Sequence, residues 1–143
     1  MWRFTATADA RTVGTMRWIV DGMNVIGTRP DGWWKDRRGA MVRLVDQLER
    51  WATAERLRVS VVFEGPADPP IESTVIDVGH APRARANSAD DEIMRLVLAD
   101  PRPDEITVVT SDGVLAGRVR EAGALAQPAA GFRDLIDRYS ARP

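Results

Sequence analysis

The sequence predicts an α/β domain of three layers, with a parallel sheet covered by helices on both faces. Two observations carry that prediction: short β-branched apolar runs alternate with longer stretches of helical periodicity, and several of those runs stop on a carboxylate. Parallel strands need crossovers to bring the chain back, and right-handed crossovers over both faces bury the strands completely. In such sheets ligands bind beyond the carboxyl ends of the strands, where neighbouring crossovers diverge to opposite faces.

The elements follow in order. Residues 17–21, Arg-Trp-Ile-Val-Asp, read as a buried strand closing in a turn at Asp21-Gly22. From Asp36 onward Met41, Leu44, Val45, Leu48, Trp51 and Ala52 keep the i, i+3, i+4, i+7 spacing of an amphipathic helix. Residues 58–63 form a second strand bounded by Glu64-Gly65-Pro66, and the Pro-rich stretch to Pro70 is loop. Residues 74–78 read as a third strand, with His80 as an ordinary residue of the loop after it. A helix spans residues 88–98, a fourth strand 106–110, and a helix 114–122 stops at Gly123. Residues 124–127 make a fifth strand and 132–139 a closing helix.

A chain of 143 residues is near the modal size of one domain and buries about two-thirds of its unfolded surface. An apolar share of 44% with 29% charged residues excludes disordered and membrane compositions. The absence of cysteine excludes a disulfide framework, a thiolate metal site and a cysteine nucleophile, and it suits a reducing cytoplasm. No run is apolar and long enough for a signal peptide or a membrane span. Residues 1–15 are expected to be a disordered lead, and 16–143 one domain. A net charge of −1 argues against a globally basic nucleic-acid binder, yet Lys35 is the only lysine and the remaining cations are arginines, whose planar forks suit phosphate.

Three acidic motifs carry the chemistry. In the first, Val-Asp-Gly-Met-Asn at 20–24, a strand delivers Asp21 to a turn and Asn24 adds a second oxygen or a donor; turn or cap chemistry explains Asp21 equally well by itself. In the second, Ser88 and Asp91 have the spacing of a capping box, which leaves Asp90. At about 100° per residue, Ile93, Met94, Leu96, Val97 and Leu98 centre on the direction of Asp90, so its carboxylate faces the core and needs a cation or several donors. In the third, Val-Val-Thr-Ser-Asp at 108–112, the hydroxyls can hold water or phosphate, and Asp112 is either a metal ligand or the cap of the next helix.

If Asp21, Asp90 and Asp112 converge, their charges raise one another's pKa values, and a divalent cation removes that repulsion. Oxygen ligands with a single histidine, His80, point to Mg²⁺ or Mn²⁺ rather than zinc, and phosphodiester hydrolysis is the natural chemistry of such a site. Asp21 and Asp112 are then ligands, Asp90 binds a second metal or positions water, and Asn24 and Ser111 orient substrate or bound water. Glu64, at the end of the second strand, either extends the site or caps a loop.

With these residues assembled, the chain resembles the YacP-like branch of the NYN-domain family, within the PIN-like group of metal-dependent ribonucleases. Three strings carry the match in order: Ile-Val-Asp-Gly-Met-Asn-Val-Ile-Gly at 19–27, Ser-Ala-Asp-Asp-Glu-Ile at 88–93 and Val-Val-Thr-Ser-Asp at 108–112. The resemblance implies a strand order 3-2-1-4-5, an acidic Mg²⁺ or Mn²⁺ site of Asp21, Asp90 and Asp112 with Asn24 auxiliary, and cleavage of single-stranded RNA, in some members on or near the ribosome. Two positions depart from the family's pattern: Glu64 stands where Asp often follows the second strand, and Met23 where a tyrosine is expected.

Arg29, Trp33, Trp34, Lys35, Arg37 and Arg38 follow the first strand and pair cations for phosphate with rings on which bases can stack; the competing reading is a packed tryptophan and solvated charges. Arg83 and Arg85, just before the helix of Asp90, can grip a phosphate backbone. The expected function is an endonucleolytic, metal-dependent ribonuclease, and its rival is a non-catalytic RNA- or ribosome-binding module with an impaired site. An aspartyl-phosphatase or receiver domain is disfavoured by Met23 two positions after Asp21 and by the lack of a late-strand lysine.

Overall fold

A computed structural model of the chain describes residues 3–4 (backbone), 16–81 and 88–140. Six strands make one sheet: β1 (Arg3–Phe4), β2 (Arg17–Asp21), β3 (Arg58–Phe63), β4 (Asp77–His80), β5 (Ile106–Val109) and β6 (Leu125–Gln127). Their order is β1-β4-β3-β2-β5-β6, all parallel except β1, which runs antiparallel along β4 with Arg3 opposite His80 and Phe4 opposite Gly79. The five expected strands thus stand in the order 3-2-1-4-5, and β1 adds an edge within residues 1–15; the rest of that segment lies outside the described residues.

Consecutive residues of the inner strands face opposite sides, so each strand feeds two cores. Val20, Val61 and Val109 pack with α1 (Gly22–Ile26), α2 (Arg37–Glu55) and α5 (Ala129–Ile136), while Ile19, Val62 and Val108 pack with α3 (Ser88–Ala99) and α4 (Gly113–Glu121). The first core is centred on aromatic rings: Trp18 stacks on Phe132 at 5.7 Å, and Trp51 meets both edge-on at 5.0 and 5.2 Å. Among the described residues no helix is long and apolar enough to cross a membrane.

Four local features differ from the sequence expectation. The Asp21-Gly22 turn is the start of α1, a helix of five residues, too short for periodicity to reveal. A Cβ on Gly22 would lie 2.5 Å from the Phe63 ring and 3.1 Å from Val61, so close approach of α1 to β3 dictates the glycine. The third expected strand is displaced because Ser73 Oγ accepts from the backbone N–H of Val75 (3.0 Å) and Ile76 (3.1 Å), turning the chain before the ladder begins at Asp77. His80 is therefore the buried last residue of β4 rather than a loop residue, with its ring stacked on Phe63 at 5.4 Å. Burial holds its pKa below the usual value, and Nε2 accepts from Ile71 N at 3.2 Å. The closing helix starts at Ala129, three residues early, and ends in the 3-10 turn Asp137–Tyr139.

Elsewhere the expected boundaries hold to within one residue. Asp36 Oδ1 accepts from Gly39 N at 3.0 Å to cap α2, and Gly123, at φ +96°, takes the left-handed conformation after α4. Phe132→Ala should lower the unfolding free energy by about 3–5 kcal/mol, read from urea denaturation, because it empties the ring cluster joining α5 to the sheet. A loss below about 1 kcal/mol would show that α5 does not complete this core.

Candidate active site

Asp21 is the last residue of β2, the strand flanked by β3 on one side and β5 on the other. The chain leaves β2 over one face through α2 and reaches β5 over the other through α3, so the carboxyl ends of β2 and β5 border the topological switch point. Asp21 is 3% exposed there, and although it precedes α1 its side chain caps nothing. Oδ2 instead accepts from Asn24 Nδ2 at 2.8 Å and from Thr110 Oγ1 at 3.1 Å.

These contacts belong to one network. Asn24 Oδ1 accepts from Ser111 N at 3.1 Å, which fixes the orientation of the amide. Thr110 Oγ1, donating to Asp21, accepts from Asp112 N at 3.1 Å. Ser111 Oγ accepts from Ala129 N at 3.2 Å. Sequence reasoning singled out Asn24 and Ser111; the direct contact from Thr110 was visible only as a strand-end hydroxyl.

The acids act on one another. Burial, reinforced by the charges of Asp90 and Glu64, pushes Asp21 up to about 7 against the opposing hydrogen bonds from Thr110 and Asn24. Asp90, half-buried in the first turn of α3, is raised above the usual carboxylate range first by burial and then by Asp112, Glu64 and Asp91, with Arg118 on α4 acting in the opposite sense. Asp91 is exposed, and Ser88, expected to cap with it, donates its hydroxyl to the Glu64 carbonyl at 3.0 Å, fastening α3 to the end of β3. Asp112 caps α4, its Oδ1 accepting from Val114 N (2.9 Å) and Leu115 N (3.1 Å).

Asp21, Glu64, Asp90 and Asp112 are thus electrostatically linked at one end of the sheet. Among the described residues, however, no group of three or more His, Cys, Asp or Glu is gathered as a metal shell would require. The donor chemistry, oxygen only and of one charge sign, fits a hard divalent cation; the spacing is that of carboxylates held by protein donors, Asp21 by Thr110 and Asn24, Asp112 by the start of α4.

The cationic loop is divided in its contacts. Arg29 is paired at 2.6 Å with both Asp134 and Asp137, and Arg38 donates to the Pro69 carbonyl at 2.6 Å. Trp33 is half-buried against the first core, Trp34 is 55% exposed, and the exposed side chains of Lys35 and Arg37 make no hydrogen bond or ion pair among the described residues. Arg83 and Arg85 lie outside the described residues.

The parallel strands in this order and the acids at their switch point agree with the PIN-like ribonuclease superfamily, and the family match assigns the chain to it. The YacP-like NYN domain family matches over residues 18–142, and the chain belongs to that family. Two crystal structures of Rae1 (YacP) from Bacillus subtilis share the fold. One has a TM-score of 0.71 at 24% identity, covering 85% of this chain and 74% of that chain. The other, of a tryptophan-to-leucine mutant, has a TM-score of 0.64 at 24% identity, covering 87% and 78%. No curated protein matches the chain.

The raised Asp21 makes a stability prediction for protein kept in EDTA. Its carboxyl titrates near 7 in the fold against an ordinary value of 3.8, so the folded chain retains a proton that the unfolded chain has released. That contribution is complete below about pH 4 and is lost as pH rises through about 7. Asp21→Asn should flatten the profile and stabilise the protein at pH 8 by on the order of 2–4 kcal/mol, measured by denaturant titration. Parallel pH profiles for the two proteins would refute the assignment.

Proposed function

We propose that this chain is a metal-dependent ribonuclease that hydrolyses phosphodiester bonds in single-stranded RNA endonucleolytically, with Mg²⁺ or Mn²⁺ as cofactor. The observation that carries this reading is the buried carboxylate of Asp21 at the switch point, under the charges of Asp90 and Glu64. Membership in a ribonuclease superfamily supports a nuclease-type hydrolase at the coarser level.

In this reading Asp21, Asp90 and Asp112 hold the cation, with Glu64 as a further acid beside them. A bound divalent ion supplies an activated water and charge neutralisation at the phosphate. The chain's own residues prepare the site: Thr110 and Asn24 orient the Asp21 carboxylate, and Asn24 also holds the backbone of Ser111, whose exposed position suits it to substrate. Trp34 offers a ring for base stacking, and Lys35 and Arg37 offer charges for the backbone. Arg29 and Arg38 act indirectly by holding the segment through their own partners. Arg83 and Arg85, before Asp90 in the chain, complete the proposed RNA contacts. A cytoplasmic setting, with RNA free or on the ribosome, belongs to the same proposal.

A second reading, an RNA-binding module without cleavage, is favoured by two observations: the Asp112 carboxylate is engaged as a helix cap, and no ready metal shell is gathered among the described residues. The two separate in one experiment. With labelled single-stranded RNA and Mn²⁺ or Mg²⁺, the wild type should produce internal cuts, while Asp21→Asn and Asp90→Asn should lose on the order of a hundredfold or more in kcat and EDTA should stop the reaction. Equal cleavage by wild type and Asp21→Asn would overturn the first reading. Salt-sensitive binding without cleavage would select the second.

A further inference from the structure

Helix α5 supplies no acid to the site, yet it is tied to it at two points. Its first residue, Ala129, donates to Ser111 Oγ at 3.2 Å. One turn on, Arg133 donates from Nη1 to the carbonyls of Val25 (3.0 Å) and Ile26 (3.3 Å) and from Nη2 to Asp31 at 3.3 Å. Its side chain is 16% exposed, so the bonds to the two carbonyls are partly shielded from water, while Asp31 is 47% exposed.

The two carbonyls are at the C-terminal end of α1. A helix of five residues cannot persist by its own hydrogen bonds, and this one has no basic residue in its last turn. Arg133 supplies that charge from another element, meeting the negative end of the helix. Asn24 precedes Val25 directly, and its amide bonds to both the Asp21 carboxylate and Ser111 N. The contacts close a circuit: α5 to the end of α1 through Arg133, α1 to Ser111 through Asn24, and Ser111 back to α5 through Ala129.

We propose that Arg133 is a positioning residue for the acidic site, setting through α1 the angle at which Asn24 presents its amide to Asp21 and Ser111. The inference rests on Asp21 being the functional carboxylate of the proposed ribonuclease. It assigns the pairing between α5 with its following 3-10 turn and the segment after α1, including Arg29 with Asp134 and Asp137, to maintenance of site geometry as well as stability.

The test is a double-mutant cycle with a spectroscopic arm. Arg133→Gln, too short to span both carbonyls and Asp31, should lower kcat about tenfold with KM for RNA changed by less than about twofold. In an Asn24→Ala background the same change should add little, because both substitutions remove one arrangement. Arg133→Lys, which keeps the charge, should restore part of the rate. Independently of cleavage, the side-chain amide resonances of Asn24 in a ¹⁵N–¹H spectrum should move in Arg133→Gln while amides of α3 and α4 stay in place. Fully additive rate losses, or an unmoved Asn24 amide in a folded variant, would overturn the proposal. Should the wild type fail to cleave RNA, the ribonuclease reading falls, and the Asn24 amide still decides whether Arg133 sets its geometry.

Discussion

The structure depends on a carboxylate placed where water is nearly absent. Asp21 ends the central strand, and burial alone disfavours its charge by an amount that two hydrogen bonds do not offset. Thr110 arrives from the neighbouring strand, Asn24 from the helix that starts at the next residue, and each is itself held by backbone from the β5–α4 connection. The order of the sheet makes this possible. Only a strand with parallel neighbours on both sides, and crossovers parting around it, can deliver an acid to a crevice while its preceding residues stay buried in two cores.

The same constraint explains the small residues around the acid. Gly22 lets α1 lie against Phe63, and a Cβ there would collide with that ring and crowd Val61. Asp112 combines two duties that one carboxylate can serve: it completes the start of α4, and its charge bears on Asp90 across the helix pair. Site and scaffold therefore share atoms.

Much of the fold was legible in the sequence because burial on both faces leaves an unmistakable pattern. Ile19-Val20, Val61-Val62 and Val108-Val109 are adjacent apolar pairs since each partner serves a different core, and α2 shows its stripe over nineteen residues. What escaped was short or non-local. Helix α1 completes little more than one turn, β4 was displaced by the hydroxyl of Ser73, and the bond from Arg133 to Val25 joins residues 108 positions apart. The strand ending placed Asp21 at the buried end of β2, whereas helical direction set Asp90 too deep: it is half-buried, while Glu92 is the acid of α3 that is 2% exposed and Leu98 is 70% exposed. The engagement of Asp112 as a cap could not be separated beforehand from ligation, because one residue type at one position suits both. Nor could Arg29 be separated from the free cations, since Asp134 and Asp137 come from the far end of the chain.

Strand β1 has a consequence for how the molecule meets copies of itself. Among the described residues the sheet terminates in β1 and β6, of two and three residues. A foreign strand would find too few exposed backbone groups in a row at either rim to lock a register. Next to β1, β4 begins on the buried polar residue Asp77 rather than on an apolar one, which makes the flank a poor template for further pairing. Among the described residues the β-branched runs of β2, β3 and β5 are therefore set inside the sheet, and the strands at its rims give an incoming strand little to pair with.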